Sequence, residues 1–223
     1  MSAKIKIPEN RKARGDSQRR LWLRAAPLVI LVIVILGGAI IIGLNNPAQP
    51  AASAGPENGR TQGSANAAFI IVEYGDFGCT TCKAWEQQGI MPKIEAKYGS
   101  KVRFVWRDLP IITLESPKAA EAADCAADQG QFWPYHNLLY VKAPAIAVSD
   151  LKTYAAQLGL DAAKFNACLD SGQHAADVQA DLQDGLGRGF RATPAFLVNN
   201  KPLIGPPSFE QLSMMIDANL KTP

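Results

Sequence analysis

The stretch Glu73-Tyr74-Gly75-Asp76-Phe77-Gly78-Cys79-Thr80-Thr81-Cys82-Lys83 decides how this chain is read. It follows the apolar, β-type run Ala68-Phe69-Ile70-Ile71-Val72 and precedes a segment with helical spacing, in which Trp85, Ile90 and Ile94 take the apolar positions. A C-x-x-C at a strand-to-helix junction reads as a redox dithiol. Cys79 is expected in the first turn of its helix, where free backbone N–H groups and the positive end of the helix dipole favour a thiolate. That makes Cys79 the reactive cysteine and Cys82, one turn on, the buried resolving partner. The competing uses of such a pair are half of a zinc site or an inert structural pair. Zinc normally takes a second closely spaced ligand pair, and Cys125, Cys168, His136 and His174 stand apart in the sequence.

Working outward, Gly89 and Pro92 are expected to kink or divide the helix that runs to about Tyr98. Val102–Trp106 alternates as a second strand, closed by Leu109-Pro110. A long region without strand signal follows. It holds helices over Pro117–Asp128, Phe132–Val141, Ser149–Gly159 and Asp161–Gly172, with a further helical stretch to Gly185. The β signal returns at Ala195–Val198. Asn199-Asn200 turns into a partner strand, Lys201–Ile204, and Phe209–Leu220 closes the chain as a helix. The order β-α-β, helical block, β-β-α predicts an α/β fold, an open sheet carrying a helical insertion at about residues 115–187.

Upstream, the formal charge of +3 is unevenly spread. Residues 1–24 hold Lys4, Lys6, Arg11, Lys12, Arg14, Arg19, Arg20 and Arg24 against Glu9 and Asp16, so the remainder of the chain is net acidic. A basic tail in front of an apolar run points to membrane topology and not to nucleic acid. The run Ala25–Leu44 is twenty residues without a charge, about the length that spans a bilayer as a helix. A cleaved signal peptide is the rival, since Ala52-Ser53-Ala54 has a small-x-small form, but its apolar region would be shorter and closer to the cut. Residues 1–24 are therefore expected as a cytoplasmic tail, 25–44 as a single transmembrane anchor, and 45–66, rich in Ala, Pro, Gly, Ser and Asn, as a flexible tether. The domain over 67–223 then lies outside the cytoplasm, on the periplasmic face of the cell membrane.

The segment Val72–Lys83 resembles the active-site segment of the DsbA-like disulfide oxidoreductases of the thioredoxin-fold superfamily. Met91-Pro92-Lys93-Ile94, Arg103–Pro110, Phe132-Trp133-Pro134-Tyr135-His136 and Gly189–Val198 match the same family in the same order. The resemblance implies a thioredoxin-like fold with an inserted helical subdomain. It places Thr193-Pro194 in the family's cis-proline loop, although the residues alone read as an extended dipeptide opening a strand. It places Glu73 where the fold keeps a buried acid beneath the dithiol, able to exchange a proton with Cys82; the alternative is a solvated strand-edge glutamate. Cys125 and Cys168 read either as buried apolar residues or, in an oxidising compartment, as a structural disulfide; relatives often carry cysteines there, which favours the disulfide. Asp76 and Lys83 read as surface charges, and His136 and His174 as core or surface residues without a catalytic role.

Between the cysteines this chain has Thr80-Thr81, where the family's prototype has Pro-His. No cation stands there to hold a thiolate, which leaves the direction of electron flow open. The resulting expectation is a membrane-tethered thiol–disulfide oxidoreductase without cofactor or metal. Its expected clients are cysteine-containing exported proteins, and a quinone-linked membrane oxidase is the expected reoxidant if the resemblance holds. The rivals are a reductase or isomerase fed by a membrane electron carrier, and a chaperone holding a soft metal on the C-x-x-C.

Overall fold

The computed structural model describes residues 59–220. A central five-stranded sheet consists of β1 (Thr61–Gly63), β2 (Phe69–Gly75), β3 (Val102–Asp108), β4 (Ala195–Val198) and β5 (Lys201–Ile204), in the order β1-β3-β2-β4-β5. β2 and β3 are parallel, and the other neighbouring pairs are antiparallel. The parallel pair is joined by α1 (Thr80–Glu86) and α2 (Ile90–Tyr98). The break between these helices falls at Gly89, whose φ of 60° is the left-handed conformation that glycine adopts without cost. β3 leads into α3 (Ser116–Ala127), α4 (Phe132–Lys142), α5 (Val148–Gln157), α6 (Ala162–Ser171) and α7 (Ala175–Gly187), and α8 (Phe209–Leu220) is the last element among the described residues. The β4–β5 turn uses Asn199 and Asn200 at φ 45° and 64°, the double positive φ of a tight hairpin whose twist matches its strands.

The two-residue period of β2 sends Phe69, Ile71 and Glu73 to one sheet face and Val72 and Tyr74 to the other. On the first face Phe69 and Ile71 join Phe104, Phe196, Trp85, Ile94 and Ile216 in a core under α1, α2 and α8. On the second, Tyr74, Leu109, Phe190 and Leu197 pack beneath Leu182 and Leu186 of α7. A third core fills the helical insertion and reaches back to Phe77, Cys79, Cys82 and Trp106. It is sealed by aromatic contacts: Phe77 stacks on Trp106 with ring centroids 5.1 Å apart, and His136 stands edge-on to Trp106 at 4.6 Å. His136 is a core residue, kept neutral because burial pushes its pKa down to about 4.

Two expectations need correction. Residues 61–63, assigned to the tether, form the edge strand β1, in antiparallel register with Arg103–Val105. Just before it, buried Arg60 reaches Asp108, Asp124 and Asp181. The domain therefore starts by residue 60. Asp76 is buried as well: its carboxylate accepts the N–H groups of Gly78, Ile111 and Ile112 and the hydroxyl of Ser116 at 2.6–2.8 Å. Lys83 is half-buried, its Nζ donating to the carbonyl of Ala143 at 2.6 Å. The expected tail, the anchor over 25–44 and most of the tether lie outside the described residues. Among the described residues no helix is long and apolar enough to cross a membrane.

Candidate active site

The site grows from the loop between β2 and α1. Asp76 ties that loop to residues 111–116, and Gly78 allows the close approach. A Cβ at Gly78 would lie 2.8 Å from Cγ2 of Thr113 and 2.9 Å from Oγ of Ser116, so a side chain there would force these neighbours to move. Cys79 then takes the N-cap of α1 in an extended conformation (φ −84°, ψ 119°), and its sulfur accepts the backbone N–H of Cys82 at 3.3 Å. A cap position is where a helix presents unpaired N–H groups, and here a sulfur takes the role usually filled by a hydroxyl or carboxylate oxygen.

Cys79 and Cys82 are both free thiols and both buried, Cys79 at 5% exposure and Cys82 at 0%. Facing them, the Thr193–Pro194 peptide bond is cis, and the Thr193 carbonyl oxygen lies 3.4 Å from the Cys79 sulfur. The Cys79 thiol is held down to about 5, first by its hydrogen bond with the Cys82 side chain. The backbone N–H groups of Cys82 and Thr81 add to this against the opposing effect of burial. The Cys82 thiol moves the other way, raised by burial above all, then by its bond to Cys79 and by the charge of Glu73. One sulfur is thus a nucleophile and good leaving group, and the other is held protonated.

Glu73 occupies the position beneath this pair. Its cross-strand neighbours are Trp106 on β3 and Phe196 on β4, and its side chain is fully buried. Neither carboxyl oxygen has a hydrogen-bond partner. Burial pushes its pKa well up, with further upward contributions from the negative charges of Glu86 and Cys79. Glu86, at the end of α1, is raised to about 7, again by burial first. A carboxyl whose protonated form burial favours, and which acts electrostatically on the resolving thiol, can give or take the one proton that the exchange moves.

Sequence reasoning named Cys79, Cys82, Glu73, Thr193 and Pro194, and the structure brings all five to one place. It missed Asp76, read as a surface charge, and Glu86, whose role depends on a neighbour thirteen positions away. Cys125 and Cys168 are joined in a disulfide with Cα atoms 5.9 Å apart, linking α3 to α6 away from the dithiol. Among the described residues, the cluster that could hold a metal, Cys125, Cys168 and His174, lies there and not at the C-x-x-C.

Residues 56–218 match the family described as Thioredoxin. Over 164 residues the chain is 34% identical to an Na(+)/H(+) antiporter NhaA of Herminiimonas arsenicoxydans, a match covering 74% of this chain and 26% of that protein. An Na(+)/H(+) antiporter NhaA 3 of Salinispora tropica is 33% identical over 163 residues, 72% of this chain and 24% of that one. The chain spans about a quarter of the length of these curated relatives. Among solved structures, oxidised BdbD from Bacillus subtilis superposes with a TM-score of 0.67 at 24% identity, covering 74% of this chain and 94% of that one. Wolbachia pipientis alpha-DsbA1 does so with 0.64 at 20%, covering 71% and 89%. At these identities the superpositions speak for the fold. The match over residues 56–218 shows that this chain belongs to the thioredoxin family.

Proposed function

We propose that this chain is a membrane-tethered oxidase of exported proteins, working through a Cys79–Cys82 disulfide. A client thiolate attacks Cys79 and forms a mixed disulfide, and Cys82 departs and takes up a proton from the Glu73 carboxyl. A second client thiolate then attacks the client sulfur, releasing its disulfide and the Cys79 thiolate. Two electrons pass from client to protein, and Glu73 recovers a proton from solvent.

One observation supports the direction of flow: the Cys79 sulfur takes the N-cap of α1 and accepts the Cys82 N–H at 3.3 Å, an arrangement that favours a thiolate and lowers its pKa to about 5. A stabilised reduced form makes its disulfide a strong oxidant, and a leaving thiolate of low pKa leaves quickly. The helix cap and Cys82 thus do the work that Thr80-Thr81, lacking a cation, does not. The uncharged run 25–44 behind a basic tail supports the anchor, with the domain on the periplasmic face. A quinone-linked membrane oxidase is the reoxidant that this arrangement calls for.

The experiment is trapping. In cells expressing the full chain with Cys82→Ala, clients should accumulate as mixed disulfides on Cys79, all released by reductant. A trap that stays empty, with the variant folded and in the membrane, rules the exchange out.

A further inference from the structure

A second cluster of sulfur, nitrogen and carboxylate donors lies in the helical insertion, and the dithiol chemistry makes no use of it. Cys125 on α3 and Cys168 on α6 come together with His174 at the start of α7, one donor atom from each lying within 4.8 Å of the others. Asp128, three residues after Cys125, joins them: its Oδ2 lies 2.8 Å from His174 Nε2 and 3.9 Å from Cys168 Sγ. In sequence these four residues form two close pairs, C-x2-D and C-x5-H, the paired spacing that had seemed to be missing.

We propose that Cys125, Cys168, His174 and Asp128 form a four-ligand Zn2+ site when the Cys125–Cys168 disulfide is reduced by a dithiol. Two thiolates, one imidazole and one carboxylate are a donor set that tetrahedral zinc accepts. The Cα separation of 5.9 Å leaves room for two thiolates about 3.8 Å apart, the spacing set by zinc–sulfur bonds in a tetrahedron. His174 is buried, and its other nitrogen, Nδ1, lies 3.1 Å from Asp177 Oδ2. A carboxylate behind a histidine is the arrangement that fixes ring orientation in zinc sites, with Nε2 turned to the metal. Access is present too: a surface cavity of about 560 Å³ is lined by Cys125, Asp128, Cys168 and Gln173. Lys164 lines it as well, with its Nζ 3.5 Å from the carboxylate of Asp161. Gln173 donates to Asp128 Oδ2 at 2.9 Å, a bond that metal binding would share or displace.

The chemistry balances. A dithiol reductant attacks the Cys125–Cys168 disulfide, forms a mixed disulfide and closes its own, leaving two thiols with two electrons gained. Zn2+ then displaces their two protons to solvent and binds the thiolates. The same sulfurs serve either the disulfide or the metal, so the two states exclude each other.

The test uses the detergent-solubilised full chain with Cys79→Ser and Cys82→Ser, so that only the second cysteine pair can respond, reduced with a phosphine and given Zn2+ or Co2+ alone. We expect one equivalent of Zn2+ retained after desalting by the reduced form and none by the oxidised form. The Co2+ form should show thiolate charge-transfer bands and the intense visible bands of a tetrahedral ion. His174→Ala and Asp128→Asn, which leave the disulfide intact and can first be checked as folded in the oxidised state, should each weaken retention at least tenfold. The site is refuted if the reduced, folded chain retains no metal, if it retains metal equally well in both variants, or if reduction alone unfolds the insertion.

Discussion

The sulfur of Cys79 lies 3.4 Å from the carbonyl oxygen of Thr193, a residue 114 positions further along the chain. A neutral thiol can donate to that carbonyl. A thiolate cannot, and is held by Cys82 and by backbone N–H groups at the helix cap. The chemistry of the site turns on which of these states the fold prefers.

The first prediction concerns pH. The Cys79 thiol is lowered to about 5 in the folded reduced protein, against about 8.5 in an unfolded chain. A depressed folded pKa gives stability that is fully present above the unfolded value and is lost as pH falls through the folded one. The reduced form should therefore gain stability relative to reduced Cys79→Ser as pH rises from about 5 to 8.5, as read by urea midpoints.

Glu73 should show stability and activity moving in opposite directions. Both its oxygens are buried without partners, so Glu73→Leu should stabilise the fold by about 1–3 kcal/mol at neutral pH. Because the folded pKa is raised, the advantage should grow as pH rises above the unfolded carboxyl value of about 4.3. The same change should slow exchange at Cys82 by about 100-fold, within the range attributed to a lost general acid–base group. Urea unfolding and stopped-flow oxidation of a thiol peptide read the two effects.

Arg60 is buried among Asp108, Asp124 and Asp181, with Arg107 contacting Asp181 at 3.0 Å. Removing the cation leaves three buried carboxylates with one arginine. Arg60→Ala should cost about 3–5 kcal/mol in urea unfolding, whereas exposed Lys97, paired with Asp217 at 3.7 Å, should cost under about 1 kcal/mol when changed to Ala.

Asp76→Ala removes the acceptor for three backbone N–H groups and one hydroxyl at the turn that carries Cys79. A loss of about 3 kcal/mol is expected, from several charge-assisted bonds acting together. Hydrogen exchange at Gly78, Ile111 and Ile112 should rise in the variant and stay unchanged at Ile71.

Much of the fold was legible because period and punctuation agree. Asp161 caps α6 with its carboxylate on Ala163 and Lys164, and the Asn199-Asn200 pair takes the turn that its residue types favour. β1 was not legible: Thr61-Gln62-Gly63 has no apolar alternation, and backbone pairing with β3 is what makes it a strand. Asp76 escaped for a related reason. Two of its four partners are main-chain N–H groups 35 and 36 residues away, which leave no trace in residue type. His174 read as solitary because its neighbours Cys125 and Asp128 come from another helix. The C-x-x-C was the opposite case, since its spacing, its place after a strand and the helix it opens are all local.

The reduction potential of the Cys79–Cys82 pair tests the central claim most directly. The stabilised Cys79 thiolate predicts an oxidising couple, nearer about −120 mV than −270 mV. A value near −270 mV would contradict the account and make this protein a reductase.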